Sequence, residues 1–124
     1  MKYLCLISAE SFLEQMTEAD AAQHFEEYLD FTAEIKRNGH YVGCNRLVPP
    51  DQAVTLRVRN GKVLTTDGPY AETKEQLGGY FILEAQDMNE AIQVASGIPG
   101  ARIGCVEVRP IAEDEQTLRA LGMK

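Results

Sequence analysis

Apolar positions along the chain follow two rhythms, and the switches between them divide it into elements. Tyr3 to Ser8 is a short, nearly continuous apolar run, which predicts a strand with apolar side chains on both faces. From Glu18 to Asn38 the rhythm lengthens. Ala21, Phe25, Tyr28, Leu29, Thr32 and Ile35 recur every three or four residues, predicting one helix with an apolar stripe, and Gln23, Glu26, Glu27, Asp30, Glu34 and Arg37 take its wet face. Thr17 is placed to cap its start, with Asp20 three residues on, and Gly39 stops it after Lys36 and Arg37. Such a helix is roughly 30 Å long.

Tyr41 to Val48 predicts a second strand, ended by Pro49-Pro50. Val54, Leu56 and Val58 then alternate with Thr55, Arg57 and Arg59, a strand with one wet face. Asn60-Gly61 is a strong hairpin signal, and Lys62 to Thr66 returns from it. Tyr80 to Ala85 predicts a buried strand. Asp87, with Glu90 three residues later, opens a second helix whose inner face reads Met88, Ala91, Ile92 and Ala95. Ile103 to Arg109 gives the last strand, and Glu113 to Met123 either forms a short helix with Leu118 and Leu121 inward or frays.

The order is β-α-β, a hairpin, then β-α-β. Without the hairpin this is the ferredoxin-like split βαβ arrangement of the α+β class: one antiparallel sheet with two helices on one face. We read residues 1–110 as that domain and 111–124 as a tail. Tyr3–Ile7 and Tyr80–Leu83 are apolar on both faces, yet two helices cover only one. A bare apolar sheet face marks an interface; the hairpin or the tail folding across it is the structural alternative, but the tail is too polar to cover a sheet, which predicts a homodimer.

Composition narrows the partners. Twelve basic against nineteen acidic residues give a net charge of −7, which repels nucleic acid and anionic membrane surfaces. No apolar stretch approaches membrane-spanning length. Cys5, Cys44 and Cys105 are distant and odd in number, each within a predicted strand, so buried free thiols in a reducing cytoplasm are expected. His24 and His40 lack metal-ligand spacing, and no glycine-rich nucleotide loop is present, so no metal and no cofactor is expected.

The candidate chemistry gathers at Asp67 to Tyr80. Asp67 ends a strand at the sharp Gly68-Pro69 turn, where a carboxylate can be held rigidly as a general base. The structural alternative is an Asx-turn that spends the carboxylate on nearby backbone amides. Thr73 and Gln76 have capping-box spacing, predicting one helical turn, and Glu72 and Lys74 read as a solvated pair. Gly78-Gly79 at a strand entrance suggests the close approach of a backbone or a ligand. Asp67 is expected partly buried near Tyr28 or His24 of the first helix. For those two residues packing is the structural alternative to catalysis, and for His40 a helix-end role. Gly68, Pro69, Tyr70, Gly78, Gly79 and Arg57 are the candidate ligand-binding residues. Arg57 and Arg59 on one strand face suit a small anionic ligand, or simple solvation.

The run Asp67-Gly68-Pro69-Tyr70-Ala71-Glu72-Thr73-Lys74-Glu75-Gln76-Leu77-Gly78-Gly79 resembles the signature of the DGPF or YciI-related family, with tyrosine at 70 where phenylalanine is usual. Val58 to Lys62 and Glu107 to Pro110 also match its pattern. The resemblance implies a dimeric α/β-barrel, two ferredoxin-like subunits joining their sheets around a cleft for a small organic molecule. It further implies a histidine on the first helix acting with an aspartate. Counting back from Gly39, Tyr28 occupies that histidine's place and His24 lies one turn earlier. Two functions follow as expectations: a cofactor-independent acid/base enzyme using Asp67, or a non-catalytic ligand-binding or regulatory module. The second is implied by the frequent neighbourhood of this branch with sigma factors.

Overall fold

A computed structural model describes residues 1–10, 16–71 and 73–122. Ser11, Glu72 and the end of the tail at Met123 lie outside the described residues. Among the described residues the order is β1 (Lys2–Ala9), α1 (Glu18–Arg37), β2 (Tyr41–Arg46), β3 (Val54–Arg59), β4 (Lys62–Asp67), β5 (Gln76–Glu84), α2 (Met88–Ala95), β6 (Cys105–Pro110) and α3 (Glu115–Ala120). Short 3-10 turns lie at Pro50–Gln52 and Pro99–Arg102. β1, β2, β5 and β6 form an antiparallel sheet in the order β2-β5-β1-β6, and β3 and β4 pair only with each other. The mixed α+β architecture is compatible with the ferredoxin-like arrangement.

Local signals place the helices. Thr17 Oγ1 accepts the Asp20 amide at 3.1 Å and Asp87 Oδ1 accepts the Glu90 amide at 2.9 Å, each satisfying a donor that the first helical turn leaves unpaired. Glu90 Oε1 in return accepts the Gln86 amide at 2.8 Å. Gly39, at φ +80°, ends α1 in the left-handed region.

The core lies between the sheet and the helices: Cys5, Phe81 and Leu83 against Phe31, Ile35, Ala95 and Ile98. Tyr3, Ala85 and Ala91 form a second cluster beside it. The apolar stripe of α1 is rotated from the expected one. Phe31 and Ile35 are buried with Tyr28 half-buried, whereas Ala21, Phe25 and Leu29 are exposed. Two aromatic-bearing faces compete on this helix, and Phe31 wins because its ring meets Phe81 edge-on at 5.3 Å. On α2, Ala91 and Ala95 face in while Ile92 is exposed. Small residues there let the helix approach the sheet closely.

Three further expectations are corrected. No helical turn forms at Thr73: Gln76 already belongs to β5, and its side-chain amide donates back to the Thr73 carbonyl. Leu121 at the end of α3 is exposed. Of the thiols only Cys5 is buried; Cys44 is half-buried, and Cys105, on the edge strand β6, is exposed. Burial pushes the Cys5 pKa up to about 11.

The sheet face opposite the helices carries Leu4 and Leu6 of β1 beside Ile82 and Tyr80 of β5, all half-buried, flanked by Arg109 and Glu107 of β6.

Candidate functional site

The residues that the sequence singles out fall in three neighbourhoods. The first is the base of the β3–β4 hairpin. The Gly68 amide donates to the Ala53 carbonyl at 2.7 Å and Thr55 Oγ1 donates to the Gly68 carbonyl at 2.8 Å, so the turn after Asp67 is tied back onto β3. Gly68 takes φ +101°, which a side chain disfavours. Asp67 pairs across to Val54 and is exposed. Among the described residues no hydrogen bond engages its carboxylate, so neither the Asx-turn nor the expected partial burial near α1 is observed within one chain. Asp67 stands exposed at the base of the hairpin instead.

Arg57 pairs with Leu64 and Asp67 with Val54, one ladder step off in parity, so the two charged groups leave opposite faces of the hairpin. The Arg57 guanidinium lies 5.5 Å from the Tyr70 ring centroid, a cation–π contact, and Tyr70 is 81% exposed. Pro69 is half-buried between them in sequence.

The second neighbourhood is on α1. Tyr28 stacks parallel to Phe81 at 6.2 Å, and its hydroxyl accepts the Gly100 amide at 3.1 Å. Burial raises its pKa, opposed by the Gly100 bond and by Arg102. His24 meets Tyr28 edge-on at 5.0 Å, and burial lowers its pKa, with Glu27 opposing and Arg102 assisting. Arg102 and Glu27 pair at 2.6 Å. Tyr28 therefore tethers α1 to the turn at Pro99–Arg102. His40, at the helix end, hydrogen-bonds through Nδ1 with the Glu84 carbonyl at 2.8 Å.

The third is the start of β5. A Cβ on Gly79 would lie 2.8 Å from the Asn45 carbonyl oxygen, so the backbone of β2 is what approaches there. Gly78 is exposed at the irregularity where Ile7 pairs with Gly79 and Ser8 with Leu77. Lys74, expected beside Glu72, pairs with Glu10 at 3.4 Å on the surface.

Sequence reasoning missed two features. Asn45 Nδ2 donates to the Tyr80 hydroxyl at 2.8 Å on the open sheet face, a pairing set by strand register that no spacing in the chain reveals. An open groove of about 500 Å³ runs between α1 and α2, with Asp30 and Glu34 on one wall and Phe31, Ile35 and Val94 below. His40 lines it, whereas none of the predicted catalytic or ligand-binding residues does.

Comparison with known proteins agrees with the motif at Asp67 to Gly79. The model of the YCII-related domain matches residues 1–114. An uncharacterized protein of Rhizobium meliloti (strain 1021) is 44% identical over 69 residues, covering 54% of this chain and 56% of that protein. The aligned stretch thus spans little more than half of either. With the family match running over most of its length, the chain belongs to the YCII-related domain family.

Proposed function

We propose that this chain is a homodimeric cytoplasmic binding module for a small polar organic molecule bearing an anionic group, with Arg57 and the Gly68-Pro69-Tyr70 turn as its platform. The observation that carries the reading is the Arg57–Tyr70 contact. The ring holds the guanidinium over its face, and among the described residues no carboxylate pairs with it, so its donor fork remains available to a carboxylate or phosphate. The apolar row Leu4, Leu6, Tyr80 and Ile82 on the uncovered sheet face supports the dimer, which should bury about 2,000 Å² or more in total. The unpaired cysteines suit a reducing compartment.

A second reading, an acid/base enzyme without a cofactor, is favoured by Asp67 itself. Its backbone is fixed through the Gly68 bonds while no hydrogen bond among the described residues engages its carboxylate, which leaves it within reach of a substrate proton.

Native mass spectrometry of freshly purified protein tests the first reading directly. A retained anionic molecule lost at least tenfold in Arg57→Ala, but kept in Asp67→Asn, is the expected result. Retention indifferent to Arg57 overturns it. Turnover of the retained molecule that disappears in a folded Asp67→Asn variant establishes the second reading instead. Light scattering that finds a stable monomer at micromolar concentration removes the dimer from both.

A further inference from the structure

The hairpin exposes an apolar face in the single chain. Val54 (62% exposed), Leu56 (59%), Val58 (54%) and Val63 (63%) lie on one face, since Val54, Leu56 and Val58 alternate along β3 and Val63 pairs with Val58. Two strands alone are marginal in water, and four aliphatic side chains left wet add nothing to hold them.

The whole surface is also too large. A compact monomer of 13.8 kDa should expose about 6,600 Å², against 8967 Å² here, an excess of roughly 2,300 Å² per chain. An obligate dimer removes 1,000 Å² or more from each partner, so the excess is of the size that a second copy would cover.

Charge points to the same occupant. Residues Val54 to Asp67 carry Arg57, Arg59 and Lys62 against Asp67 alone, a formal +2 in a chain whose total is −7. A basic arm on an acidic body attracts another copy of that body.

We infer that the β3–β4 hairpin is an exchanged arm: the Val54–Leu56–Val58–Val63 face of each copy packs on the open sheet face of the other, against Leu4, Leu6, Tyr80 and Ile82. Asp67 shares the hairpin face of Val54 and lies at its base, so the same contact carries Asp67 out of water and next to the partner copy. The candidate site is then built from two chains. This accounts for the absence of a partner for the Asp67 carboxylate among the described residues of its own chain. The inference rests on the homodimer reading and specifies how it is made.

The test uses the full chain. A spin label at Val58→Cys, in a chain with its three native cysteines replaced, is mixed with an equal amount of unlabelled ¹⁵N protein. Selective broadening of the Leu4, Leu6, Tyr80 and Ile82 amides in the ¹⁵N copy is the expected result. In parallel, Leu56→Asp should raise the dimer dissociation constant at least about a hundredfold. Leu56 is exposed in the single chain, so an unchanged circular dichroism spectrum is expected alongside. A dimer by sedimentation whose ¹⁵N copy shows no such broadening, and which Leu56→Asp leaves intact, overturns the arm while the homodimer stands. A wild-type monomer at micromolar concentration overturns both.

Discussion

The four-stranded body and the two-stranded hairpin are built from the same kind of residues and end in opposite situations. In β1 and β5 the alternation places Tyr3, Cys5, Phe81 and Leu83 against two helices, at 0–3% exposure. In β3 and β4 the same alternation leaves Val54, Leu56, Val58 and Val63 more than half exposed. β-propensity and turn chemistry suffice to make the hairpin, but burial is what would stabilise it, and only the body has burial within one chain. Strand formation and strand stabilisation are separate steps, and here they are separated in space.

The comparison breaks most readily in the body. Leu83 is fully buried among Phe31, Ile35, Phe81 and Ile98, so Leu83→Ala should cost about 2–5 kcal/mol through lost transfer energy and the cavity left behind. Leu56→Ala should leave the stability of the isolated chain almost unchanged. If the hairpin packs on a second copy as proposed, any loss that it causes should instead depend on protein concentration. Urea unfolding at two protein concentrations distinguishes the two. A Leu56→Ala loss as large as that of Leu83→Ala, and independent of concentration, would show that the hairpin shares the core of its own chain.

A smaller effect sharpens the contrast from the hairpin side. Asn60 and Gly61 take φ +52° and +75°, as a type I′ turn requires, and nothing lies within 4 Å of a Cβ at Gly61. Gly61→Val therefore meets no clash and costs only backbone strain, about 1–2 kcal/mol. Amide exchange should quicken through β3 and β4 and stay unchanged in β1 and β5. Unchanged exchange in the hairpin would refute the turn assignment.

Much of the fold was legible because its signals are local. Thr17, Gly39, Asp87 and Asn60-Gly61 each act within three or four residues, and each stands where the pattern places it. What failed is long-range. Phe25 and Phe31 are both plausible inward residues on α1, and only the position of Phe81, fifty residues later, decides between them. Thr73–Gln76 has the spacing of a cap, but pairing between β1 and β5 extends to Gln76 and overrides a single turn that has little to stabilise it. The candidate site was legible as a motif and not as a place. The double glycine announces a close approach, and register alone reveals that the β2 backbone makes it at Gly79. The partner expected for Asp67 lies on α1, whereas Asp67 is exposed on a hairpin that pairs only within itself, and no local pattern in the chain encodes that exposure.

The smallest expected effect concerns His24, on the side of the body facing Tyr28. The ring is half-buried, and desolvation holds its pKa below the ordinary 6.5; Glu27 pulls the other way and Arg102 adds to the depression. The folded state thus favours neutral imidazole, and the unfolded chain binds a proton at higher pH than the folded one does. Stability from this group is fully present above pH 6.5 and declines as pH falls through 6.5 toward the folded-state value. His24→Gln should flatten that part of the stability profile and leave the profile above pH 6.5 as it was. The Tyr28–Gly100 hydrogen bond does not involve the imidazole and should persist in the variant. Ring-proton NMR gives the direct measurement. A His24 midpoint below 6.5 is expected, and a midpoint at or above it would mean that Glu27 outweighs burial at this position.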